Sequence, residues 1–381
     1  MFSNNLKISS RQLKRMLVLS WIGRINLIIP SIMAGISSRN AIIGILVGGV
    51  LTLTYGMFIS HVAENVEGSL SDYLRILLGK FGHALVTLVY IGMMFINTAF
   101  TLRLLAELVK QCMLQEVKLD MILLTGILVC AYGATGKLEG SARTTEVLYK
   151  LIIIPLVIMF CLSIPNLKIE YLLSDNGGNI PNIWENGLLM VSLFSEISIL
   201  LFTVQYLGNK EQIKSKVMQA LVITGLSVVV VYITCVGMFG SQGLRALQWP
   251  MVSLMSSVVV PGGFLNRWDI IFLSLIILSI FISISGGLFY ASIMARDVVR
   301  KGKGVYYILP CAAAIFFLAR IFPDYDVAKE YYLSIMRYFF MPIMVLLLCI
   351  IWIMQKLYKK NGNEMQKAEE ESEEQKYEAE F

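Results

Sequence analysis

The chain has 381 residues, 57% of them hydrophobic and 15% charged, with 32 Lys and Arg against 26 Asp and Glu for a formal net charge of +6. A water-soluble domain carries roughly a quarter charged residues and under half apolar ones, so the apolar excess cannot be hidden in a soluble core and has to face lipid. The basic surplus is what the inside-facing loops of a membrane protein carry, and it calls for no nucleic-acid partner.

Runs of about 20 apolar residues, each long enough to cross the hydrocarbon layer as a helix, recur from end to end. The first covers Met16–Ile36 and the second Ala41–Ser60. Ala84–Val109, Leu119–Gly136 and Glu146–Ile164 follow. The second half repeats the count with Gly187–Leu207, Val217–Gly240, Ile270–Ala295, Val305–Ile321 and Leu333–Met354. The runs lack the period-two alternation of barrel strands, so the expected fold class is all-α and integral to the membrane, with about ten transmembrane helices. The first run is too long for the apolar part of a signal peptide and has no small-residue cleavage site, so no cleavage is expected.

Lys and Arg flank the span ends on the side of the N-terminus roughly twice as often as on the other. That bias predicts an N-terminus in the cytoplasm, and an even helix count returns the C-terminus there. The expected location is an inner membrane, with membrane lipid as a partner. One membrane domain, 1–356, is followed by a tail, 357–381, that is rich in Glu from Glu364 to Glu380. The tail is too polar to bury anything and is expected to be disordered or solvated.

Short loops leave no room for a catalytic or nucleotide-binding domain. Neither a phosphate-binding loop nor a His, Cys and carboxylate cluster with metal spacing occurs, so no enzyme, cofactor or metal is expected. The six cysteines are scattered and are read as packing residues. His61 and His83, at helix ends, are expected to be solvated.

Ten helices divide into two sets of five, the inverted-repeat plan of many secondary transporters. A weak internal echo fits: Lys150 precedes Pro155 by five positions in the fifth span, as Arg337 precedes Pro342 in the tenth. In that architecture the broken middles of the first and sixth helices form the substrate site. Here those middles read Trp21-Ile-Gly23-Arg24-Ile-Asn26 and Ser192-Leu-Phe-Ser195-Glu196-Ile-Ser198, both polar for their depth. Gly23 permits a non-helical backbone or the close approach of a ligand.

Ionisable side chains within spans are expensive and functional or paired. Four stand out: Arg24, Arg103, Lys150 and Glu196. One reading places a zwitterionic amino acid between the first and sixth helices, its ammonium on Glu196; the other pairs Arg24 with Glu196 across the bundle. Lys150 either snorkels to the cytoplasmic surface or couples an ion. Ser279, Ser283, Ser285, Gly286 and Gly287 in the eighth span either pack helices closely or hydrogen-bond a ligand.

Four motifs in order carry a family resemblance. They are Ser69-Leu-Ser-Asp-Tyr-Leu with Leu78-Gly-Lys-Phe-Gly82, Arg103-Leu-Leu-Ala-Glu-Leu-Val-Lys110, Gly136-Lys-Leu-Glu-Gly-Ser-Ala-Arg143, and Trp249-Pro-Met-Val-Ser-Leu254 with Gly262-Gly-Phe-Leu-Asn-Arg-Trp-Asp269. Together they resemble the B-subunits of bacterial spore germinant receptors, the endospore germination permeases of the amino acid–polyamine–organocation superfamily. The resemblance covers the chain to about residue 355 and implies a leucine-transporter-like fold. It also implies a small germinant, often an amino acid, with an A-type membrane subunit and a C-type lipoprotein subunit as partners. By position, Gly23 and Ser283 match places the family associates with its ligand pocket, and Ser195-Glu196 falls where many members have Gly-Glu. The chain departs from the pattern at Arg24-Ile25 in the first helix, at Thr101, where some relatives have a glutamate, and at Asn266 before Arg267. The alternative to a receptor is an amino-acid transporter coupled to protons or another ion. Lys150 then stands where some proton-coupled members of the superfamily replace a sodium ion with lysine.

Overall fold

A computed structural model describes residues 7–34, 38–66, 68–173, 181–208, 210, 212–257 and 268–358. The first half holds α1 (Ser10–Met33), α2 (Ser38–Glu64), α3 (Leu70–Cys112), α4 (Leu119–Thr135) and α5 (Lys137–Ser163). A short α6 (Ile169–Leu173) links it to the second half. There the sixth span is assembled from α7 (Pro181–Leu193), a 3-10 turn over Ser195–Ile199 and α8 (Leu200–Thr203). Then come α9 (Ile213–Ala246), a short α10 (Pro250–Ser257), α11 (Trp268–Val299), α12 (Ile308–Arg320) and α13 (Tyr325–Ile335). The last helix runs on through a π-helical turn, Met336–Phe340, so that the tenth span covers Tyr325–Tyr358.

Among the described residues, eight helices are long and apolar enough to cross a membrane, and two shorter apolar ones, Leu119–Thr135 and Gly304–Arg320, bring the count to ten. The two short members are the fourth of each half. A further correspondence lies between the second and third spans of each half, where the first turns of α3 and the separate α10 occupy equivalent places. The five-plus-five inverted repeat is therefore visible in the lengths and breaks of the helices.

Helix ends follow local chemistry. α1 starts earlier than its apolar run because Ser9 and Gln12 form a reciprocal capping box, Ser9 Oγ accepting from the Gln12 amide and Gln12 Oε1 from the Ser9 amide. α3 bends at Gly79, where φ is 71° and ψ −177°, a conformation open essentially to glycine alone. This separates a surface segment from the span proper. α9 bends likewise at Gly240, the predicted end of its run.

Burial ranks the helices. Every residue from Trp21 to Pro30 is buried, so this stretch of α1 is enclosed on all faces. The most apolar windows of the first and sixth spans are 78% and 89% buried, against 24% in the fifth, whose Leu151, Ile154 and Val157 face outward. α1 packs against α9, α11 and α5, while α3 packs against α11, α12 and α13.

Three expectations change. α1 is an unbroken helix through Gly23, whereas the sixth span breaks. Gly23 serves packing instead: a Cβ there would lie 2.8 Å from Ser279 Oγ of α11. His83 is buried, with Nε2 2.8 Å from Ser71 Oγ, and so ties the surface segment to the span across the Gly79 bend. The echo between the halves is partial. Pro155 sits inside a continuous α5, whereas the π-helical turn precedes Pro342, whose missing N–H cannot close an ordinary helical bond. Arg337 lies in that turn, 3.6 Å from Glu185. The tail from residue 359 onward lies outside the described residues.

Candidate ligand site

The break in the sixth span positions Glu196. α7 ends at Leu193, the backbone tightens into the 3-10 turn from Ser195, and the carboxylate is thereby turned toward the middle of α1. Arg24 meets it there, with Nη2 2.9 Å from Glu196 Oε2. The guanidinium is fully buried, and its other bonds run to Asn97 Oδ1, Thr101 Oγ1 (3.5 Å) and the Leu193 carbonyl (3.3 Å). Tyr332 of α13 donates to the same Asn97 oxygen at 2.8 Å. One polar cluster thus joins α1, α3, the sixth span and α13. Burying two charges is tolerable only when they are paired and their remaining groups bonded, and this arrangement meets most of that demand. Arg24 Nε alone has no partner among the described residues.

On the side of the cluster toward the start of α1 lies a cavity of about 50 Å³. Glu196, Ser283, Thr203, Tyr290, Ser20 and Trp21 contribute to its wall, which reaches Leu13 and Met16. Thr203 Oγ1 and Tyr290 Oη are 2.8 Å apart, and Trp21 is held edge-on against Phe194 at 5.3 Å. Gly286 and Gly287 of α11 leave the room, and a Cβ at Gly287 would collide with Thr98. The chemistry offered is one carboxylate oxygen, several hydroxyls and an aromatic wall, suited to hydrogen-bonding a small polar molecule. Among the described residues no three His, Cys, Asp or Glu side chains gather as a metal site requires.

The structure brings Glu196 and Ser283 to the cavity and Arg24 to its edge. Gly23 is backed by Ser279, whose Oγ donates to the Leu19 carbonyl at 2.5 Å. Asn26 is fully buried and turned away, donating to Ser227 of α9 at 3.2 Å. Ser195 is buried and donates to the Ser192 carbonyl at 2.7 Å. Lys150 is exposed on α5, apart from the cluster. Of the eighth-span residues, Ser279 and Ser285 serve packing, Ser285 close against Gly133, while Ser283, Gly286 and Gly287 line the cavity. Sequence reasoning missed Asn97, Tyr332, Thr203 and Tyr290. The only signal was Asn97 and Thr101 one helical turn apart in an apolar run.

A family described as spore germination protein matches residues 7–327. The chain belongs to this spore germination protein family. Spore germination protein YndE of Bacillus subtilis is 24% identical over 82% of this chain and 88% of its own length. Spore germination protein B2 of the same organism is 21% identical over 93% and 97%. Among solved structures, a Na+-coupled sialic acid symporter in a substrate-bound outward-open state superposes with a TM-score of 0.61 at 12% identity, over 86% of this chain and 76% of that one. That likeness establishes a leucine-transporter-like fold. The chain is thus a multi-pass membrane protein of this family, with a fold it shares with a solved symporter.

Its motifs have structural work to do. Arg103 pairs with Glu107 at 2.8 Å and bonds three carbonyls, Ala319 in the last turn of α12 and Phe322 and Pro323 just after it. Arg143 pairs with Glu139 at 2.6 Å, and Trp249 Nε1 donates to Gln111 at 2.6 Å. The stretch containing Asn266 and Arg267 lies outside the described residues.

Proposed function

We propose that this chain is the membrane subunit of a spore germinant receptor. A small germinant enters the cavity beside Glu196, and its occupancy shifts a conformational equilibrium that partner subunits sense. The observation that carries this reading is a carboxylate at the break of the sixth span, opening onto a hydroxyl-lined cavity in a chain of this family. Glu196 and Ser283 contact the germinant in this proposal; Gly23, Arg24, Asn26 and Ser195 hold the walls that shape it. The partners are an A-type membrane subunit and a C-type lipoprotein, in the inner membrane of the spore, with both termini cytoplasmic. The experiment is germination of spores lacking this gene, challenged with a panel of amino acids, sugars and nucleosides. Loss of the response to one ligand class, restored by the wild-type gene, supports the receptor. A normal response to every class, in a strain without other germinant receptors to substitute, refutes it.

A second reading, a secondary transporter coupled to protons or another ion, is favoured by one observation. The bundle has the fold of a Na+-coupled symporter, and its cavity lies on one side of a closed polar cluster. In that case purified protein in liposomes accumulates substrate against a gradient. Lys150 is the coupling candidate, and Lys150→Ala then abolishes pH-dependent uptake. Its exposed position on α5 weighs against that role.

A further inference from the structure

Glu196 already has a cation. Arg24 Nη2 stands 2.9 Å from Oε2, the guanidinium is wholly buried, and its bonds to Asn97, Thr101 and the Leu193 carbonyl hold it in place. Arg24 is not part of the cavity wall, whereas the Glu196 side chain is 13% exposed and lines it. Among the described residues no donor bonds the other oxygen, Oε1. The wall therefore presents a carboxylate whose charge is neutralised from behind but which still accepts a hydrogen bond from the front.

We infer that Arg24 is a built-in substitute for a ligand ammonium, so that the ligand group seated at Glu196 is an uncharged donor, a hydroxyl, and the germinants of this chain are neutral hydroxyl-bearing molecules rather than amines. The inference rests on the reading of this cavity as the germinant site, and it narrows the amino acid expected from the sequence. The reasoning is electrostatic. An ammonium at hydrogen-bond distance from Oε1 would sit on the order of 5–7 Å from the guanidinium, so repulsion would take back roughly half of the attraction to the carboxylate. A hydroxyl gains a charge-assisted hydrogen bond without that opposition. The rest of the wall is matched to it. Thr203 Oγ1 donates to the Ile199 carbonyl at 3.1 Å and meets Tyr290 Oη at 2.8 Å, so these two hydroxyls keep capacity as acceptors of a ligand O–H, and Ser283, which makes no hydrogen bond among the described residues, can donate as well as accept. A cavity of about 50 Å³ takes a compact polar molecule, or the polar part of a larger one.

Matched pairs that differ only by ammonium against hydroxyl test this. They are 2-amino-1,3-propanediol and glycerol, and D-glucosamine and D-glucose. Binding is measured by calorimetry on the full-length protein in lipid nanodiscs, below pH 7 so that the amines are charged. The wild type is expected to bind the hydroxyl member of at least one pair at least tenfold more tightly than the amine. Arg24→Gln, which frees the carboxylate, reverses the order, and Arg24→Lys, which keeps the cation, preserves it. Tighter or equal binding of the amines by the wild type overturns the inference and leaves the site intact, and that result needs no variant to fold. Binding of no member of any pair by the wild type overturns the inference together with the reading beneath it.

Discussion

Removal of the Arg103 guanidinium tests whether the polar groups in the spans are held by the partners described. Arg103 Nε and Nη2 approach Glu107 Oε1 at 3.0 and 2.8 Å. Nη1 donates to Phe322 O at 2.8 Å and Ala319 O at 3.3 Å, and Nη2 to Pro323 O at 2.8 Å. The two side chains are only 3% and 11% exposed. Ala319 lies in the last turn of α12, whose terminal carbonyls have no helical donors, so one side chain answers both a carboxylate and a helix end. At 2.8 Å the gross attraction is about 6 kcal/mol for an effective dielectric constant near 20, most of it offset by desolvation. Arg103→Met fills similar space but strands Glu107 without a partner, a loss of roughly 3–5 kcal/mol. For a chain of this size that corresponds to a midpoint lowered by on the order of 4–6 °C. The assay is the monodisperse fraction remaining after heating detergent-purified protein, read by size-exclusion chromatography. Arg103→Met with Glu107→Leu removes the stranded charge and is expected to recover at least half of the loss. A single variant within about 2 °C of wild type, or a double variant no better than the single, would refute the reasoning.

Gly23→Ala places a Cβ 2.8 Å from Ser279 Oγ and should cost about 1–3 kcal/mol, partly restored by Ser279→Ala; equal midpoints for the single and double variants would count against the packing role. Gly79→Ala meets nothing within 4 Å, so its expected loss of about 1–3 kcal/mol is backbone strain alone. Gly49→Ala, equally open but helical, is the control and should be neutral or slightly stabilising by the same thermal assay. Arg15→Ala removes an exposed ion pair with Glu146 and is expected to change stability by less than about 1 kcal/mol, with the difference shrinking as salt is raised.

The ten spans were legible because each apolar run is about the thickness of a bilayer, and that length is a property of the sequence alone. Even the short fourth member of each half was visible, at Leu119–Gly136 and Val305–Ile321. The bends were only partly so. Gly240 closes an apolar run and so marks its end, but Gly79 stands within Arg75-Ile-Leu-Leu-Gly-Lys-Phe, where nothing local distinguishes a bend from a helix. The fate of His83 depended on that bend, since its partner Ser71 comes within reach only across it. A polar middle with Gly23 in the first span permits a break, yet the same residues satisfy an unbroken helix when the partners come from elsewhere: Ser279 packs on Gly23, Ser227 bonds Asn26, and Glu196 pairs with Arg24.

The candidate site divides along the same line. Which residues are unusual for their depth is local information, and Arg24 and Glu196 were both identifiable by it. Which of them meet is a question of helix rotation across contacts 73 to 235 residues apart in sequence, from Arg24 with Asn97 to Tyr332 with Asn97. Asn97 is the residue that makes the cluster a cluster, because its one amide oxygen accepts from both Arg24 and Tyr332. A polar group at this depth finds no water to replace a lost partner, so Arg24, Asn97 and Glu196 constrain one another more tightly than equivalent surface groups would. Withdrawing Glu196 from Arg24 would leave a buried guanidinium on neutral acceptors alone. The bond to Glu196 and the closure of the bundle on the Tyr332 side are therefore held by the same cation, and a ligand that strengthens or weakens the hold of Glu196 acts on both.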